Sequence, residues 1–207
     1  MFLSVNPAER ELEIKRSRFI ASAYTIASRD DVKRIIAELW KAHGEARHIC
    51  YGFIADETGD DFGYDDDGEP NGTAGKPIYS AISAAGARRT LIAVVRYFGG
   101  IKLGAGGLTR AYRQSAAELI EHAGLVRTER YGVYDIECDG DVYKKLAAVL
   151  RGNGCETERI MYGARVGITV LAPLAENDFY GLLAPLGIVP SKTGERLIAL
   201  KDGNDND

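Results

Sequence analysis

Leu91-Ile92-Ala93-Val94-Val95-Arg96-Tyr97-Phe98-Gly99-Gly100-Ile101-Lys102-Leu103-Gly104-Ala105-Gly106-Gly107-Leu108 is the stretch from which the architecture can be worked out. It opens on five apolar residues without alternation, which predicts a buried strand over Leu91 to Phe98. Five glycines follow, and a helical pattern then runs from about Leu108 to Ala123 and stops at Gly124. Glycine permits positive φ and close backbone approach, and a helix start offers unpaired N–H groups and the positive end of a dipole. The expected surround of a phosphate or sulfate is therefore Gly100, Gly104 and Gly106 with Lys102, Arg96 and Arg110. A tight strand-to-helix turn with only a packing role accounts for the same glycines. Ala105 stands where a Walker A lysine is needed, and Thr109 where a dinucleotide fingerprint needs its third glycine, so no cofactor is expected.

Upstream, Glu11 to Ile14 and Arg18 to Ile26 read as two strands of a hairpin around Lys15-Arg16-Ser17. Val32, Ile35, Ile36, Leu39 and Trp40 share one helical face, with Ser28 or Asp30 as cap and Gly44 as stop. His48 to Ala55 reads as a strand, Asp56 to Gly75 as a long loop, and Pro77 to Ala85 as a short helix. Downstream the pattern restarts with a strand over Tyr131 to Glu137 and a helix through Val142, Leu146, Val149 and Leu150. Two strands around Gly163, a helix through Phe179 to Leu186 and a strand at Arg196 to Leu200 complete β-α-β-β-α-β, the ferredoxin-like order. The expectation is an α+β chain in two domains, an α/β domain over residues 1–126 and a ferredoxin-like one over 131–207, with the boundary near Val126 to Arg130.

Charge is segregated in the first half. Eight acidic and no basic residues lie between Asp56 and Glu69, whereas seven basic and no acidic residues lie between Pro70 and Ala117. Either the acidic loop folds back to neutralise the basic surface, or the basic surface is a phosphate groove that the loop gates. An EF-hand reading of the loop puts Gly63 and Ala74 at ligand positions, so a calcium site is not expected; a looser magnesium site stays open. No metal is assigned. His48 and Cys50 lie two apart and share a strand face, which leaves a Cys–His catalytic pair open beside a purely structural thiol.

A formal charge of −4 argues against a bulk polyanion binder, so any nucleic acid must meet a local patch. Cys50, Cys138 and Cys155 form no CxxC pair, which fits a reducing compartment. Met1 to Arg10 shows no secretory pattern, and no apolar stretch approaches the ~20 residues a membrane span needs. The expectation is a cytoplasmic protein with no membrane partner and a frayed polar tail over Lys201 to Asp207.

Four motifs in order resemble the Impact/YigZ family: Lys15-Arg16-Ser17-Arg18-Phe19-Ile20; Arg47-His48-Ile49-Cys50-Tyr51; Asp66-Asp67-Gly68-Glu69-Pro70 with Gly72-Thr73-Ala74-Gly75-Lys76-Pro77; and Val94 to Gly100 with Leu103 to Leu108 and Arg110-Ala111-Tyr112. The resemblance implies a first half folded like a small-subunit ribosomal-protein domain and domain IV of elongation factor G. It implies a second half like domain V of that factor. It also implies a translation-associated regulatory role without established catalysis, and RNA, the ribosome or a translation-related protein as partner. Arg18 and Lys76 join Arg96, Gly100, Lys102, Gly104, Gly106 and Arg110 as the expected nucleic-acid-binding set, and Asp66, Asp67, Glu69 and Thr73 form the family-motif loop. The competing reading is an enzyme that acts on a phosphorylated substrate at the glycine turn and the Asp66–Pro70 loop, although no base, nucleophile and substrate fall into one arrangement. A pure protein-binding module is the third.

Overall fold

A computed structural model describes residues 2–200; the expected frayed tail lies outside them. The chain is mixed α+β, with two sheets and five α-helices among the described residues. It divides into two compact units, Phe2–Arg127 and Thr128–Leu200.

The first unit starts with β1 (Phe2–Val5), then a hairpin of β2 (Ala8–Ile14) and β3 (Ser17–Thr25). Lys15 and Arg16 make its tight turn with φ of 48° and 66°, the left-handed pair that matches strand twist. Helix α1 (Arg29–Ala42) begins at Ser28, where the Asp31 carboxylate accepts the N–H of Ala27 and Ser28. Strand β4 (His48–Ile54) is followed by β5 (Phe62–Asp65), helix α2 (Gly75–Ala84), strand β6 (Thr90–Tyr97) and helix α3 (Ala105–Ala123).

The sheet order is β2-β3-β6-β4-β5, and every neighbouring pair is antiparallel. The sheet of the first unit is therefore wholly antiparallel. The crossover through α1 does join two parallel strands, β3 and β4, but β6 is inserted between them, so each touching pair runs opposite. Strand β6 is buried on both faces, which explains its unbroken apolar run. Ile92 and Val94 pack with Ile78, Ile82, Ala111 and Leu119 of α2 and α3. Leu91, Ala93 and Val95 pack with Val32, Ile35 and Leu39 of α1 on the other side. The result is a helix–sheet–helix sandwich.

The second unit continues β7 (Leu125–Cys138), which starts in the first, with α4 (Gly140–Gly152), β8 (Glu156–Tyr162), β9 (Val166–Ala172), α5 (Glu176–Leu183) and β10 (Ser191–Ala199). Its antiparallel order is β10-β7-β9-β8. Tyr134, Ile136, Ile168 and Val170 meet Leu146, Leu150, Phe179 and Leu183 in one core. The restart expected at Tyr131 is earlier, at Leu125, and the expected boundary falls inside a continuous strand. No helix among the described residues is long and apolar enough to cross a membrane.

Candidate functional site

The register of two strands assembles the site. His48 of β4 lies directly across from Arg96 of β6, and Cys50 across from Val94. Side chains at 92, 94 and 96 share a face by strand alternation, so Arg96 points to the side covered by α2 and α3. There it is only 6% exposed. Its Nη1 donates to Glu69 Oε1 at 2.5 Å, and Tyr112 of α3 donates its hydroxyl to the same oxygen at 2.7 Å. The Arg96 guanidinium lies 5.5 Å from the Phe19 ring centre and 5.7 Å from that of Phe98. Arg96 Nε is buried and has no acceptor among the described residues.

Glu69 is delivered by the acidic loop, in which Asp66 and Asp67 are spent on backbone. Asp66 accepts the N–H groups of Gly72, Ala74 and Gly75 at 2.7 to 2.9 Å and so closes the start of α2. Asp67 accepts the N–H of Ile49 at 2.6 Å, and its carbonyl meets His48 Nδ1 at 2.7 Å. Thr73 donates its hydroxyl to the Pro70 carbonyl. His48 and Cys50 share a face as expected, but each is bonded elsewhere. The Cys50 thiol donates to the Asp66 carbonyl at 3.0 Å and to the Tyr112 oxygen at 3.4 Å. Burial pushes the Cys50 and Tyr112 protons far from ionising, so the thiol behaves as a buried neutral group.

On the opposite wall, the glycine turn is set by contact and by φ. A Cβ on Gly99 would fall on the backbone of Arg16, and the Gly99 N–H donates to Ser17 Oγ at 3.2 Å. Gly100 and Gly104 have φ of 84° and 72°, a region that favours glycine. Gly104 is the residue that opens α3. Between these walls lies a cavity of about 380 Å³. Its polar lining is Arg47, His48, Glu69, Arg96 and Lys102; Pro70, Phe98, Leu103 and Leu108 are its apolar part, and Gly104 and Ala105 bring the helix start into it.

Of the residues expected from sequence, Arg96, Lys102, Gly104 and Glu69 meet at this cavity. Gly100, Gly106, Arg110, Arg18, Lys76, Asp66, Asp67 and Thr73 do not line it. Arg18 holds Glu11 through two bonds of 2.8 Å. Gly106 lies inside the first turn of α3, which starts three residues earlier than expected. Two of the seven basic residues are met by acidic-loop carboxylates, Arg96 by Glu69 and Arg89 by Glu57 at 3.5 Å. Lys76, Lys102, Arg110 and Arg113 are exposed and form no ion pair among the described residues. The sequence reading left Arg47 out of the site and weighed His48 only as a partner of Cys50. Strand order was the missing signal, because it places the Arg47-His48 segment beside Arg96.

Comparison with known proteins supplies the lineage. The Impact N-terminal domain model matches residues 15–120. IMPACT family member YvyE of Bacillus subtilis (strain 168) is 34% identical over 158 residues, covering 76% of this chain and 73% of its own. IMPACT family member YigZ of Escherichia coli (strain K12) is 33% identical over 195 residues, covering 92% and 93%. A crystal structure of a hypothetical protein aligns over 98% of this chain and 99% of its own, with a TM-score of 0.62 and 29% identity. The matched segment contains the hairpin turn, the Asp66–Pro70 loop, the glycine turn and every residue of the cavity, and on that agreement the chain belongs to the IMPACT family.

Proposed function

We propose that this chain is a translation-associated regulatory protein of the cytoplasm that binds RNA, alone or on the ribosome, through the basic glycine-rich surface of its Phe2–Arg127 unit. The observation that carries the proposal is the set of four exposed cations, Lys76, Lys102, Arg110 and Arg113, which meet no carboxylate, while Asp66 and Asp67 are consumed by backbone and Glu69 by Arg96. Four unpaired cations within one stretch of a chain of net charge −4 form a local positive surface of the kind that attracts a polyanion. Family membership supports a translation-linked role. The β-α-β-β-α-β order of the second unit and its sheet order β10-β7-β9-β8 support the ferredoxin-like reading. Kinship of the two units with domains IV and V of elongation factor G is part of the same proposal.

The test is a salt titration of binding to short single-stranded RNA and to ribosomes. Each neutralised phosphate adds about −0.7 to the slope of log K against log salt for single strands, so engaging the four exposed cations gives roughly −3. Lys102→Ala with Arg110→Ala flattens that slope by about one to one and a half units. No detectable binding at low salt, or a slope indifferent to both residues, rejects the proposal.

A further inference from the structure

We infer that the cavity at the start of α3 binds the phosphomonoester of a nucleotide, with the phosphate at the helix N-terminus beside Lys102 and the base against Phe98. This deepens the RNA proposal and rests on it only for the longer of its two ligands. Three observations converge on one volume. Helix α3 is 19 residues long, and its opening residues Gly104 and Ala105 line the cavity. Gly104 offers no capping side chain, so an incoming anion meets the first N–H groups directly. Independently, Arg47 and Lys102 line the same cavity, and both are exposed and form no ion pair among the described residues.

Charge selects the ligand. Arg47, Arg96 and Lys102 line the cavity against the single carboxylate Glu69, which leaves an excess of two positive charges before His48 is counted. A phosphomonoester carries about −1.5 to −2 near neutral pH, a closer match than the single charge of a phosphodiester inside a strand. Phe98 supplies the second half of the recognition. The residue is 42% exposed and lines the cavity, and its ring has the Arg96 guanidinium 5.7 Å from its centre. One face is thus backed by a cation while ring surface stays open to a base, and such stacking is sequence-tolerant. At about 380 Å³ the cavity is within the range that encloses a small ligand.

The ligand is a free mononucleotide or the phosphorylated end of an RNA strand, and the experiment separates them. Binding of the intact chain is measured for AMP, inorganic phosphate, and one eight-nucleotide RNA with either a 5′-phosphate or a 5′-hydroxyl, at fixed salt. The expected result is at least tenfold tighter binding of the phosphorylated strand than of the hydroxyl strand, with AMP competing. Lys102→Ala abolishes the difference, Lys102→Arg retains it, and Phe98→Ala weakens AMP while leaving inorganic phosphate unchanged. AMP equal to the phosphorylated strand names the mononucleotide; a strand much tighter than AMP names the RNA end. Equal affinity for both strand ends with no competition by AMP overturns the inference, and salt-dependent RNA binding in that case leaves the RNA proposal standing. AMP binding that depends on Lys102, with no binding of either strand, rejects the RNA proposal and keeps the cavity assignment.

Discussion

Arg96 and Glu69 hold each other in a space that neither could occupy alone. Their side chains are 7% and 4% exposed. Removing one partner of such a pair costs roughly 3–5 kcal/mol because the other charge stays buried. Glu69→Ala is therefore expected to lose about that much in urea unfolding, whereas Tyr112→Phe, which removes one donor from a carboxylate that keeps Arg96, costs about 1 kcal/mol. Equal losses would show that the hydroxyl, not the ion pair, organises the site. Asp56 makes a different kind of prediction. Burial pushes its carboxyl up, but bonds from Thr58 and from the N–H groups of Asp61, Gly59 and Asp60 outweigh it and hold the pKa at about 2, below the ordinary 3.8. A depressed folded-state pKa stabilises above the unfolded value and loses that contribution as pH falls through the folded one. The stability difference between wild type and Asp56→Ala is thus full at neutral pH and shrinks between about pH 4 and pH 2. A difference that is flat across that window would contradict it. At this scale the sequence displays the charge of each residue and is silent on its exposure. Arg96 reads as one more cation in a basic stretch, and only Glu69, 27 positions away, makes it a buried one.

Helix α2 shows what an element needs from outside itself. Its cap position is Ala74, which has no side-chain oxygen, and Asp66 caps it from eight residues upstream. Asp66→Ala strands the N–H groups of Gly72, Ala74 and Gly75 together and is expected to cost about 1–3 kcal/mol, with Asp66→Asn recovering part. Thermal unfolding of the two variants checks this; identical melting temperatures would mean that water replaces the carboxylate without loss. Gly75→Ala is expected to be worse, since its Cβ would lie 2.5 Å from the Asp65 carbonyl oxygen. The same region explains one error of the sequence reading. Asp56 to Gly75 reads as an unbroken loop, yet Phe62–Asp65 pairs with Tyr51–Ile54. Four residues with a glycine among them carry little strand signal. Gly63 is nevertheless required there, because a Cβ would meet the Phe53 ring at 2.7 Å. Strong periodicity made α1 and β6 legible, since both answer to a packed face. A short edge strand answers to one neighbour and leaves no pattern.

Among the described residues, the buried apolar side chains fall into three clusters, and none mixes the two units. Two of them, drawn from Val5 to Leu119 and from Ile20 to Val95, lie in the first unit; the third, from Tyr134 to Ile188, lies in the second. The sequence carries a restart of the strand–helix pattern after the first unit, because each unit must close its own core in sequence order. The cavity was only half visible, because its walls come from β4, the acidic loop, β6 and the start of α3, and their adjacency depends on a strand order that local pattern does not encode. Every residue that lines the cavity nonetheless belongs to Phe2–Arg127. A unit with its own core folds without the other, so residues 1–127 expressed alone are expected to unfold in one cooperative transition and to retain the RNA salt slope of the full chain. The cut falls within β7, whose Leu125–Arg127 end stays with the fragment. Some loss of stability is therefore expected without loss of cooperativity. The measurement is urea unfolding of the fragment followed by far- and near-ultraviolet circular dichroism. Transitions that coincide by the two signals support a closed core. A broad melt that keeps far-ultraviolet signal but lacks the near-ultraviolet one would mean that the sandwich around β6 needs residues beyond Arg127 to set its packing. A cooperative fragment that has lost RNA binding would instead move the interface out of the first unit, and the four exposed cations would then need another explanation.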